Sequence, residues 1–175
     1  METRWGRVGE SFPDLPDWFM VPAMSDDHEQ RTTAIGLARY AREFLDAAVA
    51  ADHVVGRRPS YEIHAPPPVE YLVAHSMELA LKSYLLFGGM SLREVERHRH
   101  DLVKLWGSAT RRGIGDSIRL SDEELALLGL VSDRHTETLT RYIVTGWQTK
   151  PVFGPLQQLA EKLLNAICSI IGYRR

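Results

Sequence analysis

The stretch Pro66–Met90, PPPVEYLVAHSMELALKSYLLFGGM, decides how the rest of the chain is read. Three prolines open it, two glycines close it, and strong helix formers fill the space between. Its clearly polar residues are Glu70, His75, Glu78 and Lys82. The last three share one helical face at i, i+3 and i+7 spacing. The remaining faces are apolar, from Val69, Leu72 and Val73 through Met77 and Leu81 to Leu85 and Phe87. A helix apolar on so many sides either spans a membrane or is wrapped by other helices. A charged stripe through its middle disfavours the membrane. The stretch is predicted to be the buried helix of a soluble bundle.

Outward from it, the chain reads as further helices. Residues 1–24 alternate Trp5, Phe12, Trp18 and Phe19 with Pro13, Pro16 and Pro22, which forbids a helix and predicts an extended arm. Residues 25–175 are predicted to be one helical-bundle domain. Ser25–Asp27 supplies a cap for a helix to about Val55, with Ile35, Ala38, Ala41, Phe44, Leu45 and Ala48 inward and Gly56 ending it. A loop, GRRPSYEIHA, leads to the central helix. Beyond the two glycines, Ser91-Leu-Arg-Glu94 matches a capping box for a short helix, and Asp101 can cap the next one through Trp106. Ser121-Asp-Glu-Glu124 is a second capping box, whose helix carries Leu125, Leu128, Val131, His135, Leu139 and Tyr142 on one face and ends by Gly146. Trp147–Gly154 reads as a loop. Pro155 begins the last helix, with Leu156, Leu159, Ala160, Leu163, Ile167, Ile170 and Ile171 inward and Gly172 at its end. No strand is predicted; the nearest run, Tyr142–Val144, is too short. The fold class is all-α, an antiparallel bundle of four to five helices with an N-terminal arm.

The totals narrow the function classes. A chain of 175 residues with 44% hydrophobic and 25% charged residues has enough apolar material for one packed core. A net charge of −2 excludes a generally basic nucleic-acid binder, so any phosphate-gripping surface must be local. The single Cys168 sits in an apolar setting and reads as a buried, inert thiol of a reducing compartment. No apolar leader and no membrane-length run is visible, so a cytoplasmic location is expected. Phosphate loops, a nucleophile elbow and Glu-x-x-His ligand pairs are all missing, and His98-x-His100 is the one close histidine pair. No metal and no cofactor is expected.

The segments AHSMELALKSYLLFGG and HRHDLVKLWGSA together resemble the HEPN-like helical bundles, named for a nucleotide-binding domain of higher eukaryotes and prokaryotes. The matching features are Glu78-x3-Lys82 on the second long helix, His100-Asp101-Leu102 opening the next, Arg141-Tyr142 after them, and a final amphipathic helix. The likeness covers roughly residues 28–172. It implies a dimer and one of three roles: an interaction module in a toxin–antitoxin or defence system, a metal-independent endoribonuclease, or a nucleotide-binding subunit paired with a nucleotidyltransferase. In the ribonucleases of the family an Arg-x(4–6)-His pair on a late helix does the work. There the His exchanges a proton with the 2′-hydroxyl or leaving oxygen, and the Arg holds the phosphate.

This chain departs from that pattern. Arg134 on the late helix is followed at the required spacings by Leu139, Thr140 and Arg141 rather than by His. His135 lies on the apolar side of its helix, where a core or interface histidine is the commoner case. Arg93 stands at the right distance from His98 and His100, but ahead of the His100-Asp101-Leu102 helix. These three are the candidate catalytic residues. Arg97, Arg99, Lys104, Arg134 and Arg141 are candidates for gripping RNA or a nucleotide; a solvated, salt-bridged face would carry the same charges. Trp106 falls in a helical apolar pattern and is assigned to the core. His75, Glu78 and Lys82 form a polar stripe between helices, to which Arg134 or Arg141 is the expected partner. The preferred expectation is a homodimeric interaction module without a working ribonuclease site. The aromatic arm and the alanine-rich first helix are its expected contact surfaces, and RNA, a nucleotide, an antitoxin or a nucleotidyltransferase its possible partners.

Overall fold

The computed structural model describes residues 31–61, 63–136 and 149–174. The chain divides into two units at residues 31 and 32, and the bundle is the second, Thr32–Arg175. The proposed arm, Arg141, Tyr142 and the end of the fifth helix lie outside the described residues.

Six helices, and no strand, occur among the described residues: α1 Ala34–Ala51, α2 Pro67–Phe87, α3 Leu92–Glu96, α4 Leu102–Arg111, α5 Asp122–Thr136 and α6 Phe153–Ile171. None is long and apolar enough to cross a membrane. α2 is the enclosed helix, in contact with α1, α3, α4, α5 and α6. Twelve of its residues are buried, including Glu70, Ser76, Glu78 and Ser83 beside Val69, Val73, Met77, Leu81 and Leu85. Its ends follow from composition: Pro67 and Pro68 sit in the first turn, where their missing N–H groups cost no helical bond, and Gly88 caps the other end.

α1 runs antiparallel to α2. The Ser83 hydroxyl donates to the Ala34 carbonyl and the Ser76 hydroxyl to the Ala41 carbonyl, so one chain number rises as the other falls. Ala38, Ala41 and Ala48 are fully buried, and these small side chains let the two backbones come close enough for serine-to-carbonyl bonds. Ala47 and Ala50, on the other sides of the same helix, are exposed. Ile35, assigned inward, is 53% exposed. The predicted start of the first helix, at Ser25–Asp27, lies outside the described residues; α1 as described begins at Ala34. The Thr33 side chain accepts from the Gly36 N–H and caps it there, and the helix leaves through a π-helical turn, Asp52–Gly56.

The shorter helices are set by local chemistry. Ser91 and Glu94 form the expected capping box of α3, with the Ser91 N–H donating to the Glu94 carboxylate at 2.9 Å. Asp101 caps α4 by accepting the Lys104 N–H at 2.9 Å. The Ser121 N–H donates to Glu124 in the second box. Gly172 ends α6 at φ 74°, a left-handed conformation that only glycine adopts without strain. Leu125 and Phe87, both assigned inward, are 40% and 54% exposed; each lies near the open end of its helix. Trp106 packs partly buried against the core. Replacing Ser91 with Ala is expected to lower stability by about 1 kcal/mol through loss of the cap. Urea unfolding reads this directly, and a change near zero would show that α3 does not depend on its box.

Candidate functional site

Five polar side chains converge where the middle of α2 meets the entry to α4 and the last described turn of α5. Glu78 is their centre, 1% exposed in the bundle interior. Lys82, one turn along α2, donates to Glu78 Oε1 at 2.6 Å. From α5, His135 Nε2 stands 2.7 Å from Oε2. From the turn before α4, His100 Nδ1 stands 3.1 Å from the same oxygen. His75, one turn back on α2, places Nδ1 3.5 Å from it. Burial works to raise the pKa of Glu78, but the His135 hydrogen bond, the nearby His75 imidazole and the Lys82 charge outweigh it and hold the carboxyl far below the usual range. Glu78 is therefore an anion ringed by nitrogen donors.

Aromatic rings hold the imidazoles in place. Phe44 of α1 meets His75 edge-on at 4.5 Å between centroids, and Tyr71 stacks on it at 5.9 Å. His100 stands edge-on to His135 at 5.5 Å. His135 is wholly buried, whereas the His100 side chain is 40% exposed, so the cluster opens to solvent past His100.

A second buried pair lies further back along α2. Arg134 grips Glu70 with two nitrogens: Nε bonds Oε1, and Nη2 lies 3.0 Å from Oε2. Its Nη1 donates to the Thr149 carbonyl at 3.2 Å, tying α5 to the segment before α6. Arg134 is 5% exposed and Glu70 0%. A guanidinium so placed is neutralised inside the core and offers no charge to an RNA phosphate at the surface.

The candidate catalytic residues stand in different surroundings. Arg93 is exposed on α3. His98 turns Nε2 to the Ser108 hydroxyl at 2.7 Å and Nδ1 to the carbonyls of Glu94 and Val95. His100 turns to Glu78. Between them Arg99 adopts φ 52°, a left-handed backbone that sends its two neighbours to different partners. Arg97 and Arg99 are exposed, as are Arg111 and Arg112, and Lys104 is exposed while pairing with Asp101 at 2.7 Å. The basic residues of 91–112 thus form a solvated face.

Of the expected interhelix stripe, His75, Glu78 and Lys82 stand together. The residue that joins them from α5 is His135, not Arg134. The sequence signal for this was present: His135 sat on the inward face of its helix, where a buried imidazole needs a partner. Cys168 is free and buried, and burial pushes its thiol up in pKa.

Comparison with family models, with curated proteins and with solved structures finds no match to this chain.

Proposed function

We propose that this chain is a HEPN-like helical-bundle module that acts by association, as a homodimer within a toxin–antitoxin or defence system, without a working ribonuclease site. The observation that supports it is that His98 and His100 are engaged by different partners, while Arg93 is exposed. A phosphoryl-transfer site needs a proton-transferring imidazole and a phosphate-holding cation aimed at one reacting group. Here one imidazole is held by Ser108 and the other by a buried carboxylate, with the arginine on an open helix face. The dimer rests on the family resemblance. Its contact must use faces other than the buried alanines of α1; Ile35 and Tyr40, 53% and 48% exposed, stand on the open sides of that helix.

One observation favours the endoribonuclease instead. A buried carboxylate that orients a half-exposed imidazole, as Glu78 does His100, is the arrangement that positions a general acid–base. A single assay separates the two. Pure protein incubated with total RNA and EDTA is expected to leave the RNA intact, and light scattering at micromolar concentration is expected to return a dimer. Cleavage that survives the chelator and disappears in His100→Ala establishes the endoribonuclease. A monomer removes the association reading.

A further inference from the structure

The Glu78 cluster contains more imidazole nitrogens than hydrogen bonds to use them. Nδ1 of His75 and Nδ1 of His135 are both buried with no hydrogen-bond partner. In a hydrogen-bonded core such atoms are costly, and an ion beside Glu78 would engage Nδ1 of His75 and Nε2 of His135, the nitrogens that face its Oε2. We propose that His75, Glu78 and His135 form a binding site for a divalent transition metal of the zinc type, with His100 closing it on the solvent side. This rests on neither functional reading above, and it departs from the expectation of no metal.

The geometry carries the assignment. The donor atoms of His75, Glu78 and His135 all lie within 4.8 Å of one another. Around Glu78 Oε2 the three imidazole nitrogens stand at 2.7 Å for His135, 3.1 Å for His100 and 3.5 Å for His75. With metal–ligand bonds of about 2.0–2.2 Å, neighbouring donors of a tetrahedral site lie roughly 3.4 Å apart. Each nitrogen thus lies within about 0.7 Å of that spacing from the oxygen, and a separation at the 4.8 Å limit closes by about 1.4 Å shared between two side chains. One carboxylate with two or three imidazoles suits zinc, cobalt, nickel or copper; calcium and magnesium ask for oxygen ligands throughout. His75 is braced by Phe44 and Tyr71, which limits the rearrangement that binding requires.

Lys82 opposes the ion. Its ammonium lies 2.6 Å from Oε1 and occupies the other carboxylate oxygen, leaving Oε2 toward the imidazoles. Binding must also break the hydrogen bond between His135 and Glu78. Both effects set the affinity below that of a dedicated thiolate site, and both give the proposal a handle.

The test uses the full chain without a histidine tag, stripped with a chelator and then dialysed against zinc or cobalt. Elemental analysis is expected to find one zinc per chain, and the cobalt form is expected to show the intense visible absorption of four-coordinate nitrogen–oxygen ligation. His75→Gln and His135→Gln are expected to weaken zinc binding by at least about 100-fold, the upper end for loss of even an outer partner of a metal site. His53→Gln, at an exposed position of the π-helical turn, is expected to leave it unchanged, and Lys82→Met to tighten it. If His135→Gln fails to fold, His75→Gln, at a half-buried position, decides alone. A chain that holds no zinc after dialysis, or zinc that persists in His75→Gln at the wild-type level, overturns the site.

Discussion

Replacing Arg134 with Met is expected to lower the unfolding free energy by about 3–5 kcal/mol, the cost of removing one partner of a buried ion pair. A domain of this kind has roughly 5–15 kcal/mol in all, so the loss would be visible in any denaturant titration. The reason is Glu70, which is 0% exposed and bonded through both oxygens to the guanidinium. Without that cation its carboxylate must stay buried and charged or take up a proton, and either is unfavourable. The Thr149 carbonyl loses its donor in the same change. Arg134→Lys should fall between wild type and Met, because an ammonium is a point charge and cannot span two carboxylate oxygens. The decisive comparison is the double replacement Glu70→Leu with Arg134→Met. It removes the stranded charge along with its partner, and it is expected to recover most of the loss. A double variant as unstable as the single one would mean that packing around Arg134, not the buried charge, sets the cost.

The same two residues mark where sequence stops informing structure. The boundaries of α2 were legible because proline and glycine act on the backbone within a turn of where they stand. Both capping boxes were legible because serine and glutamate three positions apart meet whenever a helix starts there. The Thr33 cap of α1 went unread because Ser25 is an equally good cap by residue type, and nothing local to either residue chooses between them. The seams between helices are a different matter. Arg134 and Glu70 are 64 positions apart, and His135 and Glu78 are 57 apart. Arg134 and His135 are sequence neighbours that point about 100° apart around α5. Which of the two reaches Glu78 depends on how α5 is rotated against α2. No pattern within either helix fixes that rotation. The stripe on α2 was readable as polar and therefore in need of partners; its partners were not. The metal site was hidden in the same way, since its histidines come from two helices and no close pair announces them.

Glu78→Gln is expected to cost about 3 kcal/mol at neutral pH and to flatten the acid limb of the stability curve. The magnitude sits at the low end for a broken buried pair because the Lys82 side chain, 15% exposed, can turn its charge toward water. The pH effect follows from linkage. Unfolded, the carboxyl has its ordinary value of 4.5; folded, the His135 hydrogen bond, the nearby His75 imidazole and the Lys82 charge overcome burial and hold it far lower. Above 4.5 both states are ionised and the stabilisation is fully present. As the pH falls below that value the unfolded chain binds a proton that the native chain excludes. Stability is then lost steadily with acid until the folded carboxyl itself titrates. Glutamine carries no such proton, so the variant keeps only the slope contributed by other carboxylates. Urea midpoints for the two proteins, measured with a chelator present so that bound metal contributes nothing, should be far apart at neutral pH and draw together in acid. Curves that stay parallel throughout would mean that Glu78 is not the anion at the centre of this bundle. The three imidazoles would then owe their positions to packing alone.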